Sequence, residues 1–234
     1  MAQATGSDLE GRHIVITGGT GALGRAVVDA FLEAGAFCHV PHRGAAPPDP
    51  SRSTRLRIVG GVDLGDEAQV TAFYAGLPEL WASVQAAGGF AMAPFVQTSL
   101  AAFRAQIDLN LVTAFLCCRE AARRMTAGGG RIINVASRAA VTGGGGMVAY
   151  AVAKAGVVAL TATVADELKA RGILVNAVLP SIIDTPANRN SMPSPPEVYA
   201  RWPKPADIAA AIVWLARPAN RLTSGAAIPV YGET

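Results

Sequence analysis

The chain has 234 residues, 51% of them hydrophobic and 16% charged, and a formal net charge of +3. That length suits one large α/β domain with a sizeable core, and so small a charge, with no Lys/Arg run longer than a pair, argues against nucleic acid as a partner. No basic start followed by an apolar stretch and no uninterrupted apolar run of about 18 residues occurs, so neither a signal peptide nor a membrane span is predicted.

In chain order, strand-like and helix-like segments alternate, as in βαβ units with a parallel sheet. A strand over 12–17 leads to a helix over 22–34 and a second strand over 36–40. Pro41, Pro47, Pro48 and Pro50 then mark a loop. A third strand is predicted over 56–60, a helix over 66–74 and a fourth strand over 81–85. A long helix over 100–125 precedes strand five at 131–136, and a second long helix over 148–171 precedes strand six at 173–179. A helix over 205–216 and a short strand over 227–230 close the pattern. The segment 187–205, rich in Pro, Ser and Asn, reads as a loop or short lid over a site. No repeat or linker divides 1–234, so a single domain is expected. Cys38, Cys117 and Cys118 are odd in number and lack metal-ligand spacing; buried reduced thiols, no metal and a cytoplasmic location are the expectation.

Between the first strand and the first helix runs Thr17-Gly18-Gly19-Thr20-Gly21-Ala22-Leu23-Gly24. Glycines there let the backbone turn sharply and approach a ligand, while the helix N-terminus offers unpaired N–H groups to a phosphate. The spacing Gly19-x-Gly21-x-x-Gly24 also satisfies the dinucleotide fingerprint in its required strand-turn-helix context.

Further on, Ser137, Tyr150 and Lys154 supply a hydroxyl, a phenol and an amine. Four residues apart on a helix, Tyr150 and Lys154 share one face. A nearby ammonium favours the phenolate and would make the tyrosine a better acid-base group at neutral pH. Ser137 ends strand five, and the glycine run 143–146 lets the chain fold back so that the two hydroxyls face each other.

With the glycine turn, Asn110, Ser137, Tyr150 and Lys154 together, the chain resembles the short-chain dehydrogenase/reductase family over essentially its whole length. The resemblance implies a Rossmann-type, doubly wound parallel sheet binding NADP(H) or NAD(H). It makes Ser137, Tyr150 and Lys154 the catalytic set, with Asn110 supporting a water-linked proton path. It assigns the cofactor to Gly18, Thr20, Gly21, Leu23 and Gly24, with Asp63 at the adenine, Ala87 and Gly88 after strand four, Lys154 at the ribose, and Pro180, Ile183 and Thr185 at the nicotinamide. Ala22 stands where shorter members usually have glycine, Ser181 replaces the glycine of Pro-Gly-x-Val-x-Thr, and Gln85-Ala86-Ala87-Gly88 replaces the usual Asn-Asn-Ala-Gly. Two segments, 87–91 and 184–193, resemble dihydropteridine reductases, which characteristically lack the serine that Ser137 supplies.

At the end of strand two, His42 stands where NAD-specific relatives carry aspartate, and Arg43 follows with a planar charged fork, so NADP(H) is expected over NAD(H). The prolines of 184–202 argue against a long lid helix. An open mouth walled by Phe90, Met92, Phe95, Met147 and Met192 then suits a planar or moderately apolar small molecule. His13, His39, Trp81, Trp202 and Trp214 read as structural, and Arg123, Arg124 and Arg131 as solvated. The expected activity is interconversion of a carbonyl, or a conjugated C=N, with its reduced form in a homodimer or homotetramer. The alternatives are a dihydropteridine-reductase-like enzyme or a non-catalytic dinucleotide-binding sensor.

Overall fold

The computed structural model describes residues 8–47, 53–126 and 128–234. Pro48, Pro50 and the first seven residues, read above for a loop and for a signal peptide, lie outside the described residues. Strands β1 (His13–Thr17), β2 (Phe37–Pro41), β3 (Leu56–Val59), β4 (Ala82–Gln85), β5 (Gly130–Val135), β6 (Ile173–Pro180) and β7 (Ala227–Val230) form one sheet in the order β3-β2-β1-β4-β5-β6-β7. Every neighbouring pair is parallel. The order reverses direction between β1 and β4, so the loops leaving these strands diverge and open a crevice at their carboxyl ends.

The helices are α1 (Ala22–Glu33), α2 (Glu67–Ala75), α3 (Leu100–Ile107), α4 (Thr113–Arg124), α5 (Ala139–Thr142), α6 (Val148–Leu168), α7 (Pro186–Ser191), α8 (Pro196–Ala200) and α9 (Pro205–Ala216). Alternate residues of β1 feed the two faces of the sheet. Ile14 and Ile16 join a core with Phe31 of α1 and Ile212 of α9, and Val15 joins a second core with Tyr74 of α2 and Leu116 of α4. Burial on both faces is why β1 reads as a continuous apolar run rather than an alternating one.

Three sequence expectations are corrected. The helix expected over 100–125 is broken by a π turn at Asp108–Val112, between α3 and α4. Its widened turn carries Asn110, whose side chain bonds backbone outside the helix rather than facing solvent. Pro41 ends β2 instead of opening the loop, opposite Val59, where a strand end tolerates a residue without an N–H. Arg131 and Arg124 are not solvated. Arg131 is 6% exposed and donates to the carbonyls of Gly130 and Asn220, while half-buried Arg124 donates to that of Leu77. The guanidiniums of Arg12 and Arg131 lie 3.6 and 4.8 Å from the centre of the Trp81 ring.

By length and mean hydropathy, 1.3 and 1.7, Leu100–Arg124 and Val148–Arg171 would each suffice to cross a membrane. An uninterrupted apolar run is a stricter test than average hydropathy, which is why the sequence shows no span. Asn110 and Lys154 interrupt them, and their other inward residues build the sheet-facing cores. The three cysteines are buried and free, as expected.

Candidate active site

At the end of β1 the chain turns through Gly18, whose φ of +67° lies in the left-handed region. The amide of Gly21 closes the turn on the Gly18 carbonyl at 2.9 Å. Helix α1 then starts so tightly that a Cβ on Gly24 would lie 2.0 Å from that carbonyl oxygen. Gly21 at the N-cap has no side chain to satisfy the first amides of α1, which leaves those donors uncapped at the end of β1 as a phosphate site requires. Thr17 joins the two diverging loops. Its hydroxyl donates to the Val84 carbonyl and accepts from the Ala87 amide. A Cβ on Gly18 would meet Ala86 and Ala87 backbone at 2.9 Å. The glycine cradle and the loop after β4 are therefore one unit.

Beside the cradle, at the end of β2, His42 shares a 3.3 Å hydrogen bond with Thr20. Arg43 is exposed next to it. Asp63 is tied into its own turn, accepting from the Gly65 amide, while its backbone amide donates to Gln69. Leu23 and Ile183 pack against the α1 side of the core. Pro180 ends β6 and accepts the Arg138 amide, and Thr185 caps α7 through the Asn188 amide.

Ser137, Tyr150, Lys154 and Asn110 converge on the same crevice. The Ser137 hydroxyl, which accepts from the Ala139 amide, lies near enough to the Tyr150 phenol to favour its ionised form. Lys154, 6% exposed, donates to the Val135 carbonyl at 2.7 Å, and its ammonium lies 5.9 Å from the Tyr150 ring centre. Asn110, 1% exposed, clamps Gly89 from both sides, accepting from its amide and donating to its carbonyl, with Gln106 as a further acceptor. A Cβ on Gly88 would lie 2.6 Å from Asn110 Oδ1 and 3.5 Å from Lys154 Nζ, so glycine is required where these two side chains meet.

A model of the short chain dehydrogenase family matches residues 12–195. The chain belongs to the short-chain dehydrogenase/reductase family. Its relatives include D-threitol dehydrogenase of Mycolicibacterium smegmatis, 29% identical across 96% of this chain and 93% of that one. The 2,5-dichloro-2,5-cyclohexadiene-1,4-diol dehydrogenase of Sphingobium indicum is 31% identical across 97% and 98%. Among solved structures, a protein described as of the short chain dehydrogenase/reductase family superposes with a TM-score of 0.85 at 29% identity, covering 96% of this chain and 97% of that one. A putative gluconate dehydrogenase from Agrobacterium tumefaciens gives 0.84 at 28%, covering 97% and 96%. The protein is thus a short-chain dehydrogenase/reductase oxidoreductase, and the family binds NAD(P)(H).

The residues of this dehydrogenase fit such a dinucleotide, since the uncapped start of α1 and the Gly18–Gly24 cradle leave room and donors for its pyrophosphate. The electrostatics correct one expectation. Tyr150 is pushed up from 10.0, first by burial, with the Ser137 hydroxyl pulling the other way. The Lys154 ammonium donates to the strand carbonyl and is itself lowered by burial to about 8. The family's departures are also placed. Gln85 donates to Ser83, which bonds Tyr74, and leaves its own Oε1 buried without a partner among the described residues. The Ser181 hydroxyl donates to the Tyr231 carbonyl and accepts from Thr234, pinning the last residues beside β6.

Several contributors escaped the sequence reading. The Val135 carbonyl that holds Lys154 and the Thr17 hydroxyl that joins β1 to β4 act across 19 and 70 residues, and no local pattern marks them. Trp202 is buried against Tyr199, which agrees with a structural role. His13 and His39 pair at 3.0 Å, but His39 Nδ1 is buried without a partner among the described residues.

Proposed function

We propose that the protein is an NADP(H)-linked oxidoreductase that interconverts a planar or moderately apolar carbonyl compound and its alcohol. The observation that carries this reading is the Ser137–Tyr150 hydroxyl pair held beside buried Lys154 and the glycine cradle. The dinucleotide, when bound, supplies or takes up the hydride. Tyr150, protonated at neutral pH and pushed further up by burial, gives its proton to the carbonyl oxygen. Ser137 orients that oxygen. Lys154 holds the ribose, and Asn110 orders the relay by fixing the loop after β4 through Gly89.

The preference for NADP(H) rests on His42, joined to Thr20 on the phosphate turn, and on exposed Arg43 beside it. The sugar alcohol and the diol in the relatives' names support an alcohol and carbonyl pair. Segment 187–205 acts as a short lid. Its two helices are brief, and its root is tied by Arg189 to both oxygens of Asp184, at 2.5 and 2.8 Å. Exposed Phe115 on α4 and Val152 on α6 suit self-association as a homodimer or homotetramer, and the buried free thiols suit a cytoplasmic location. A panel of aromatic, bicyclic and small keto-acid substrates, with quinonoid dihydropterin included, tests the reading by loss of NADPH absorbance. Tyr150→Phe should lower turnover on the best substrate by a factor on the order of 100. Retention of half the wild-type rate would remove the proposed proton donor.

A further inference from the structure

The ring of Phe90 stands perpendicular to that of Tyr150, with centroids 5.0 Å apart and an interplanar angle of 85°. Phe90 is nonetheless 56% exposed, so the ring touches Tyr150 and the rest of it is open to solvent. The backbone that carries this ring is held at the residue before it. Asn110 grips both backbone groups of Gly89, and a Cβ there would strike Leu109 at 2.5 Å. From the other side, the Ala93 amide donates to the Gly146 carbonyl at 2.8 Å. A Cβ on Gly146 would lie 3.3 Å from the end of Met92. The loop after β4 is thus tied at both ends, and it carries Phe90 and Met92 to the same rim as Tyr150.

We infer that Phe90 is the specificity-determining residue of this site, an aromatic platform that stacks a flat, apolar ring of the substrate so that its oxygen lies at the Tyr150 hydroxyl. This rests on the carbonyl chemistry proposed above for Tyr150. The held backbone and the edge contact with Tyr150 matter because they keep the ring at this rim, so less freedom is lost when the substrate arrives. Ring-on-ring contact adds to the area buried, and it selects planar substrates over aliphatic ones of the same size.

The probe is 2-naphthol, a flat bicyclic alcohol, titrated by calorimetry into the protein with NADP present, beside the aliphatic cyclohexanol. Phe90→Leu keeps an apolar side chain of similar reach at an exposed position where no folding defect is expected, and Phe90→Trp keeps the aromatic face. Wild type and Phe90→Trp should bind 2-naphthol, and Phe90→Leu should bind it about fivefold more weakly, the scale of an aromatic pair. Cyclohexanol should bind the two variants within about twofold of wild type. No 2-naphthol binding by the wild type, equal binding by Phe90→Leu, or an equal loss for cyclohexanol would overturn the inference. Tyr150→Phe separates it from the reading beneath it. That variant should lose turnover and keep 2-naphthol affinity, so surviving turnover defeats the proton donor and leaves the platform to its own result.

Discussion

Replacing Lys154 by methionine removes the charge and keeps the length of the side chain. In the folded chain burial lowers this ammonium from 10.5 to about 8. Between those values the unfolded chain still holds the proton that the folded chain has released, so wild-type stability rises with pH across the window. Below about pH 8 both states are protonated and the full burden of burying the charge remains. The gap corresponds to about 3 kcal/mol at roughly 1.4 kcal/mol per pH unit. Losing the bond to the Val135 carbonyl offsets this by about 1 to 3 kcal/mol, and that loss does not depend on pH. Whatever its sign at pH 7, the stability of Lys154→Met relative to wild type should therefore fall by about 2 kcal/mol between pH 7 and pH 9.5. For a chain of this size that is about 4 to 8 °C in relative Tm. Thermal melts of both proteins at the two pH values, without dinucleotide, measure the difference and cancel the tyrosines and cysteines they share. A relative Tm that stays constant, or moves in favour of the variant as pH rises, would refute the reasoning. At pH 7 the variant should also lose turnover, as expected of a residue that holds ribose.

The pH dependence of the reaction should differ by direction. With Tyr150 pushed above 10.0, ketone reduction should hold its rate through neutral pH, and alcohol oxidation, which needs the deprotonated phenol, should climb past pH 9; a bell centred on pH 7 in initial-rate profiles would contradict this. His42→Asp should move the ratio of NADPH to NADH affinity towards NADH by about tenfold or more in fluorescence titrations, because a carboxylate beside Thr20 repels the 2′-phosphate and accepts from the ribose. Gly24→Ala puts a methyl 2.0 Å from the Gly18 oxygen, and it should lower Tm by about 6 °C or more and weaken dinucleotide binding in the same preparation.

The alternation of strands and helices, the glycine turn and the Tyr150–Lys154 spacing were all legible in the chain. Each is local, set by a period of two or 3.6 residues or by a backbone shape that only glycine adopts freely. Tyr150 and Lys154 share a face of α6 because four residues make about one helical turn, whatever surrounds them. The partners of those side chains are another matter. Lys154 reaches Val135, Asn110 grips Gly89, and Arg131 finds Asn220, across 19, 21 and 89 residues. An arginine beside a turn carries no mark of whether water or a carbonyl will receive it, so Arg131 read as solvated and proved buried. The same holds for the π turn at Asp108–Val112, since Leu, Asn and Val there fit an ordinary helix as well. Only the packed sheet, with the loop after β4 pressed against that helix, decides that Asn110 serves Gly89. It likewise decides that burial rather than the neighbouring ammonium governs Tyr150, because desolvation depends on everything that closes over a group and not on what stands four residues along.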